Sequence, residues 1–245
     1  MKTPTAIAWD ERLPESDKAL IDKLNASVDR LDTRRTVEIA VSGLFARSKL
    51  AWKIATYQHA LLHRVIALMD GAALGWNNRN TLAAMLAARA LMETVAVFAE
   101  LENRVQRFLT DEDLAGLDLL AQNGIFASRD PGWLIEAPET RAVNAQTYVD
   151  KFDKRAEGYR GHYDRLSERC HPNAAGHSQL FSKLDRSDGT VRYCDEFYEE
   201  RNAHMVFAAL AILPLVEKIS TRLDELIQQV ADLQHRLHPV STEAM

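Results

Sequence analysis

The stretch TLAAMLAARALMETVAVFA, from Thr81 to Ala99, is the part of the sequence that indicates the fold most clearly. Its residues favour a helix, and such a helix is apolar on nearly all sides. Arg89 and Glu93 are its only charged residues, and they lie four positions apart on one helical face. Because a helix that is apolar nearly all round is normally buried, the stretch predicts a buried helix in an all-α protein.

The isolated pair of Arg89 and Glu93 has two interpretations. A buried charge is costly unless it is paired, so the pair can be an internal salt bridge that fixes how the helix packs. Alternatively, the pair lines a polar pocket and holds a ligand or a catalytic side chain. The arginine comes first, which is the weaker order for a surface ion pair, so stabilisation of an exposed helix is not its expected role.

Helical patterns continue on both sides of this stretch. We expect helices over approximately residues 16–32, 34–73, 81–108, 111–123, 141–170 and 193–237. Two irregular loops should separate them, at about 123–140, anchored by Trp133, and at about 171–190. Pro214 predicts a kink in the last helix. No strand-like alternation bounded by turns is present, so residues 1–245 predict one domain, a bundle of long, mostly antiparallel helices.

The C-terminal helix, at about residues 217–237, carries a heptad pattern. Its apolar residues recur at alternating steps of four and three: Ile219, Leu223, Leu226, Val230, Leu233 and Leu237. A seam this narrow suits one long helical partner, and the N-terminal helix has a matching stripe. That stripe consists of Leu20, Leu24, Val28 and Leu31. We therefore expect the two helices to pack together, and we favour a homodimer.

Composition limits the classes of partner and the location. The chain is 47% hydrophobic and 27% charged, an ordinary globular balance, and its net charge of −5 argues against a broad nucleic-acid surface. The N-terminus has no apolar signal core, and the longest apolar run, Met205 to Val216, is shorter than the roughly 20 residues of a membrane span. We expect a soluble, cytoplasmic protein without membrane contact. Cys170 and Cys194 form neither a metal-ligand spacing nor a disulfide framework.

Two further segments concentrate polar residues. In YDRLSERCHPNAAGH, residues 163–177, Pro172 disfavours helical geometry at His171, so this histidine should lie at a helix C-terminus, where the helix dipole favours an imidazolium. The alternative is a site at His171 with Glu168, Asn173 and His177 as neighbours. The second segment, DEFYEERNAHMVF, places polar residues on or beside one helical face: Glu196, Glu200, Arg201, Asn202 and His204. His204 can be a half-buried core residue or part of a site.

Metal and cofactor motifs are not evident. His59 and His63 lie one helical turn apart, as in some metal sites, but no glutamate follows His59 as in zinc proteases. The paired Glu-x-x-His motifs of di-iron bundles, a nucleophile elbow and a phosphate-binding glycine loop are also lacking. The sequence therefore assigns no metal and no cofactor, although the two histidines leave metal binding open.

The patterns RALME, YVDKFDKR and YDRLSERCHPN resemble a family of uncharacterised bacterial all-helical proteins. That family carries Arg-x-x-x-Glu followed by Leu-Ser-x-x-x-His-Pro, which corresponds here to Arg89 and Glu93 and to residues 166–172. The resemblance covers about residues 81–173. It implies an all-helical fold and no particular activity.

A weaker resemblance is to HEPN domains, helical bundles whose ribonuclease members use an arginine followed by a histidine after four to six residues. Arg165 with His171, and Arg155 with His162, have this spacing, whereas Arg201 and His204 are too close together. The resemblance implies a metal-independent ribonuclease. His171 would act as general acid or base on a ribose 2′-hydroxyl, and an arginine would stabilise the phosphorane charge.

These segments together predict one polar pocket. We expect it to contain Arg89, Glu93, His171 and His204, with Glu168, Asn173 and Arg201 as further candidates. The favoured function is binding of a small polar ligand, or of a segment of a partner protein, at this pocket. The alternative is the HEPN-like ribonuclease of toxin or defence type, and only that alternative makes RNA a partner.

Overall fold

The computed structural model describes residues 1–195 and 200–238, and it confirms an all-α helical bundle that is 72% helical. The helices are α1 (Lys18–Thr33), α2 (Leu44–Arg47), α3 (Lys49–Asn77), α4 (Thr81–Thr110), α5 (Leu114–Phe126), α6 (Pro131–Glu136), α7 (Ala145–Asp153), α8 (Tyr159–Cys170), α9 (Gln179–Phe181), α10 (Glu200–Leu210) and α11 (Leu213–Leu237). Short 3-10 turns lie at Glu15–Asp17 and Pro138–Thr140, and a π-helical turn lies at Ala174–Ser178.

Helix α4, which contains the stretch from Thr81 to Ala99, is the central helix of the bundle. It packs against α3, α5, α7, α8, α10 and α11. Its partner in a long helical hairpin is α3, and Asn80 caps α4 by accepting a hydrogen bond from the Ala83 backbone N–H at 3.0 Å. Gly75 lets the two backbones approach closely, because a Cβ atom there would lie 2.6 Å from the Ala84 backbone nitrogen. The apolar sequence of α4 is thus explained by contact with most of the bundle.

Three predicted helices are interrupted. The helix expected over residues 34–73 begins only at Lys49, because Gly43 has a positive φ of 53° and Ser48 is extended before it caps α3. The helix expected over 141–170 divides into α7 and α8, and Gly158 between them is left-handed with φ 88°. The last helix divides into α10 and α11. Pro214 lies in the first turn of α11, where its missing N–H costs no hydrogen bond, so the predicted kink is a helix start.

Both predicted loops contain regular structure. Residues 123–140 include the end of α5 and the short helix α6, and the Trp133 indole N–H donates to the Thr140 hydroxyl at 2.8 Å. Residues 171–190 lead into an antiparallel hairpin of β1 (Ser182–Asp185) and β2 (Thr190–Tyr193), in which Leu184 pairs with Val191. The hairpin replaces part of the predicted irregular loop and leaves the all-α class unchanged, and each strand has only four residues, too few for a clear alternating pattern in the sequence.

Helix α11 uses a broader face than the heptad pattern predicts. Ile219, Leu223, Leu226, Val230 and Leu233 are buried, whereas Leu237 is 40% exposed. Val216, Ser220, Ile227 and Ala231 are also buried, and the helix packs on α1, α3 and α4. The contact with the N-terminal helix includes an ion pair of Arg30 with Glu217 at 2.7 Å. Because partners within the chain cover the seam, it gives no reason for a second subunit, and the homodimer stays a prediction.

In residues 1–195 and 200–238, two segments have the length and hydropathy of a membrane span. They are Thr81–Thr110 and Glu200–Leu237, and 56% of the most apolar window of each is buried in the structure. The second segment contains the apolar run from Met205 to Val216. Core helices of a bundle pass the same test, and the packing of α4 and α11 accounts for their apolar residues.

Candidate functional site

Arg89 and Glu93 form a network between α4 and α8. The Arg89 guanidinium donates to the Ser167 hydroxyl at 2.9 Å and to the Tyr163 hydroxyl at 3.1 Å, and lies 3.3 Å from the Glu93 carboxylate. The Tyr163 hydroxyl in turn donates to Glu93 at 2.7 Å. The Arg89 and Glu93 side chains remain 29% and 25% exposed, so they are less deeply buried than the sequence predicts.

The chemistry of this α4–α8 network is structural. Burial would lower the pKa of Arg89, but its hydrogen bond to Tyr163 and the charge of Glu93 outweigh that effect and raise it. Burial raises the pKa of the nearby Cys170 thiol to about 11, so at neutral pH it is a thiol and not a reactive thiolate. Because each charge has partners within the network, the contacts support the salt-bridge interpretation of the pair.

His171 ends α8 and belongs to a separate turn. It is exposed, with extended backbone, and its carbonyl accepts from the Asn173 backbone N–H at 2.8 Å. The Asn173 side chain donates to Glu168 at 2.8 Å and accepts from the Gly176 backbone N–H at 2.9 Å. Glu168 and Asn173 therefore fix the turn after α8. His177, the remaining predicted neighbour, is exposed.

Arg201 and His204 lie in a cleft between α8 and α10. This α8–α10 cleft has a volume of about 490 Å³ and is lined by His162, Arg165, Glu200, Arg201, His204, Met205 and Ala208. Asn202, expected beside them, is buried instead. Glu196 lies outside the described residues. Among the residues described, His171 and His204 share no hydrogen-bond or ion-pair partner, and His171 does not line this cleft. The single predicted pocket therefore divides into the α4–α8 network, the turn at His171 and this cleft.

Among the described residues, the two arginines of the α8–α10 cleft have no ion-pair partner. Within residues 1–195 and 200–238, neither Arg165 nor Arg201 forms an ion pair, and both residues are exposed. His204 differs, because its Nε2 lies 3.3 Å from the Asp17 carboxylate and 3.7 Å from that of Glu200. The cleft therefore combines two guanidinium groups, neither paired with a carboxylate in the described part of the chain, with an imidazole placed between carboxylates.

His162 contributes a second imidazole with a different environment. Its Nε2 lies 3.0 Å from the Met205 carbonyl oxygen. Because a carbonyl only accepts, Nε2 carries a proton, which leaves Nδ1 as the acceptor of the neutral ring. Burial lowers the pKa of His162, the hydrogen bond to Met205 partly offsets that effect, and the charge of Arg165 lowers the pKa further. His162 is thus a neutral imidazole at neutral pH.

The lowered pKa of His162 predicts a pH-dependent stability. A histidine in an unfolded chain has a pKa of about 6.5, so below that pH the unfolded chain binds a proton that the folded chain does not. The free energy of unfolding should therefore fall from pH 7.5 to 5.5, and His162→Gln should reduce that fall. Urea denaturation at the two pH values measures it.

His177→Gln, the same substitution at an exposed histidine, is the matched control for the loss of one histidine side chain. His59 contributes in the same direction, since burial also lowers its pKa, so some pH dependence should persist in His162→Gln. An equal fall in stability in His162→Gln and wild type would contradict the neutral environment assigned to His162.

In the described part of the chain, no three or more His, Cys, Asp or Glu side chains lie close enough together to hold a metal ion. His63 Nε2 lies 3.0 Å from the Thr36 carbonyl oxygen. The Nδ1 atom of His59 is buried and makes no hydrogen bond there. The two histidines alone therefore do not form a metal site with neighbouring ligands.

The predictions included Arg201 and His204 of the α8–α10 cleft, but they missed the signal that joins His162 and Arg165 to them. His162 precedes Arg165 by three residues on α8, and Arg201 precedes His204 by three residues on α10. Residues three apart share a helical face, so each helix presents one arginine and one histidine together. The HEPN spacing had paired Arg165 with His171, and Arg155 with His162. The fold instead places Arg165 and His162 in one cleft, while Arg155 pairs with Glu102 on α4.

Comparisons with known proteins give no family model, no curated protein and no solved structure that matches the chain. The resemblances to the bacterial all-helical family and to HEPN domains stay predictions.

Proposed function

We propose that the protein binds a small anionic ligand of the phosphate-monoester type in the α8–α10 cleft. The observation that carries this proposal is the convergence of Arg165 and Arg201, both without ion-pair partners in the described residues, on one cleft. A cleft of about 490 Å³ is within the usual size range for small-molecule sites. Binding of a small polar ligand is also the function expected from the sequence, but the proposed site is this cleft and not the pair of Arg89 and Glu93.

The side chains of the cleft suit a phosphate group that carries a hydroxylated organic part. A guanidinium fork donates two parallel hydrogen bonds to a phosphate and supplies a fixed positive charge. His162 offers its Nδ1 acceptor, and the exposed Glu200 carboxylate can accept from a hydroxyl group. The arginines would therefore bind the anion, while His162 and Glu200 would select the group attached to it.

Removing either free arginine should weaken phosphate binding. A charge-assisted hydrogen bond contributes about 1.5–3 kcal/mol, so Arg165→Gln and Arg201→Gln should each raise the dissociation constant for inorganic phosphate about tenfold or more. Isothermal titration calorimetry at low salt measures it. Arg186→Gln, at the exposed turn of the hairpin, removes the same charge outside the cleft and should leave the constant unchanged. Equal affinity in all three variants and wild type would contradict the proposal.

A second function, metal-independent RNA cleavage, is favoured by one observation: the same cleft holds two imidazoles beside its two arginines. One imidazole would remove the ribose 2′-hydroxyl proton as the oxygen attacks phosphorus. The other would protonate the departing 5′-oxygen, giving a 2′,3′-cyclic phosphate and a free 5′-hydroxyl. The arginines would stabilise the phosphorane charge. His171, the acid–base residue implied by the HEPN resemblance, has no part in this arrangement because it lies in the separate turn.

Single-stranded RNA incubated with the protein in EDTA distinguishes the two functions. Cleavage that disappears in both His162→Gln and His204→Gln, and persists in His171→Ala, would establish the ribonuclease. Absence of cleavage with intact phosphate binding would leave ligand binding as the function.

A further inference from the structure

A second charged cleft lies between α4 and α7, on the opposite end of α4 from Arg89. This α4–α7 cleft has a volume of about 380 Å³, and its charged lining residues are Glu100, Arg107, Lys151, Lys154 and Arg155. Its lining contains four cationic side chains and one carboxylate. The chain as a whole has a net charge of −5, so this concentration of positive charge is local and not a property of the composition.

Within the described residues, two of the four cations have ion-pair partners and two have none. Lys151 lies 2.5 Å from Glu100, and Arg155 lies 3.1 Å from Glu102. In the part of the chain that the structure describes, Arg107 and Lys154 form no ion pair, and both are exposed. The Arg107 guanidinium lies over the Phe108 ring at 4.7 Å, which holds it beside the cleft without neutralising its charge.

Small residues form the floor of the α4–α7 cleft. Ala96 and Ala99 are each 1% exposed, and their short side chains leave space between α4 and α7 that a larger residue would fill. Tyr148 is half-buried at the wall, and burial raises the pKa of its phenol, so the hydroxyl stays protonated and can donate to an anionic oxygen. The α4–α7 cleft thus combines an open volume, a neutral hydrogen-bond donor and two cations that have no ion-pair partner among the described residues.

We propose that the α4–α7 cleft binds an oligophosphate, a compound with two or more linked phosphate groups. A single phosphate would occupy Arg107 or Lys154, whereas linked phosphates can contact both and also reach Lys151 and Arg155. Several charge-assisted hydrogen bonds to one ligand favour a multiply charged anion over a monocarboxylate. The site is separate from the α8–α10 cleft, and neither proposal depends on the other.

Inorganic triphosphate is the probe that tests this site. The titration uses the double variant Arg165→Gln/Arg201→Gln as the background. Because these substitutions weaken binding in the α8–α10 cleft, the tighter binding that remains reports the α4–α7 cleft. We expect saturable binding there. Adding Arg107→Gln and Lys154→Gln should raise the dissociation constant at least about tenfold, because each removes a charge-assisted contact. The binding should also weaken as salt is raised.

A steric variant tests the location without changing charge. Asn103 is exposed and lines the cleft, so Asn103→Trp should fold normally, fill the space above the alanines and weaken triphosphate binding to a similar extent. Arg186→Gln should bind as tightly as its parent. The proposal is overturned if the background variant shows no saturable binding, or if Arg107→Gln/Lys154→Gln and Asn103→Trp bind triphosphate as tightly as that background.

Discussion

Replacing Tyr163 with alanine is expected to lower the free energy of unfolding by about 4 kcal/mol, because truncating a buried aromatic residue leaves a cavity. Tyr163 is 1% exposed and is among the largest fully buried side chains. Its hydroxyl also connects the two charges of the α4–α8 network, donating to Glu93 at 2.7 Å and accepting from Arg89 at 3.1 Å. The substitution therefore removes core packing between α4 and α8 together with the group that bridges the ion pair.

The phenylalanine variant separates the two contributions. Tyr163→Phe keeps the ring and removes only the hydroxyl, so it should cost about 1.5 kcal/mol, the contribution of a hydrogen bond to a charged partner. Urea denaturation followed by circular dichroism measures both variants. If Tyr163→Phe destabilised the protein as much as Tyr163→Ala, the Tyr163 ring would not contribute to packing between α4 and α8. If Tyr163→Phe had no effect, the hydroxyl would not join Arg89 to Glu93.

Replacing Gly75 with alanine is expected to destabilise the protein by about 2 kcal/mol, as overpacking in a tight contact does. The added Cβ atom would lie 2.6 Å from the Ala84 backbone nitrogen, a distance that only a shift of α3 against α4 can relieve. Alanine favours the helix more than glycine by about 1 kcal/mol, which offsets part of the cost. The clash should prevail because it involves backbone and not the end of a flexible side chain.

Gly71, one turn earlier in α3, is the matched control. A Cβ atom at Gly71 would lie 3.7 Å from the Ala87 Cβ, which is an ordinary van der Waals contact. Gly71→Ala should therefore be neutral or stabilise the protein by up to about 1 kcal/mol. Thermal unfolding should give a midpoint below the wild-type value for Gly75→Ala and a midpoint at or above it for Gly71→Ala. Similar midpoints would show that α3 and α4 do not approach closely at Gly75.

Local sequence rules predicted the helical class and several helix ends. The alternating steps of apolar residues in α1 and α11 place one side of each helix in the core, and α4 begins at Thr81 as predicted, with Asn80 as its cap. The rules failed where backbone geometry interrupts a continuing pattern. Gly158 separates α7 from α8 with a positive φ that glycine adopts freely, and the composition of its surroundings remained helical.

The number of helices that pack against α11 also could not be predicted from the sequence pattern. The heptad positions of α11 suggested one helical partner, but α1, α2, α3 and α4 all contact it, and Ser220 and Ile227 on flanking positions are buried as well. A periodic stripe shows that one side of a helix is covered. It does not show how many elements cover that side, because this depends on how the other helices cross it.

By itself, the sequence determined that the chain forms a helical bundle, that Thr81 to Ala99 is an interior helix and that its two charges belong together. These properties follow from residues three or four positions apart, whose proximity the helix fixes. Only the tertiary structure decided which polar residues share a site. Arg165 and Arg201 line the same cleft because α8 packs on α10. His171, six residues after Arg165, follows the last residue of α8 with extended backbone and lies in another turn. Contacts between distant residues depend on how whole helices pack, and that packing is set by the combined burial of many side chains, which no short motif encodes.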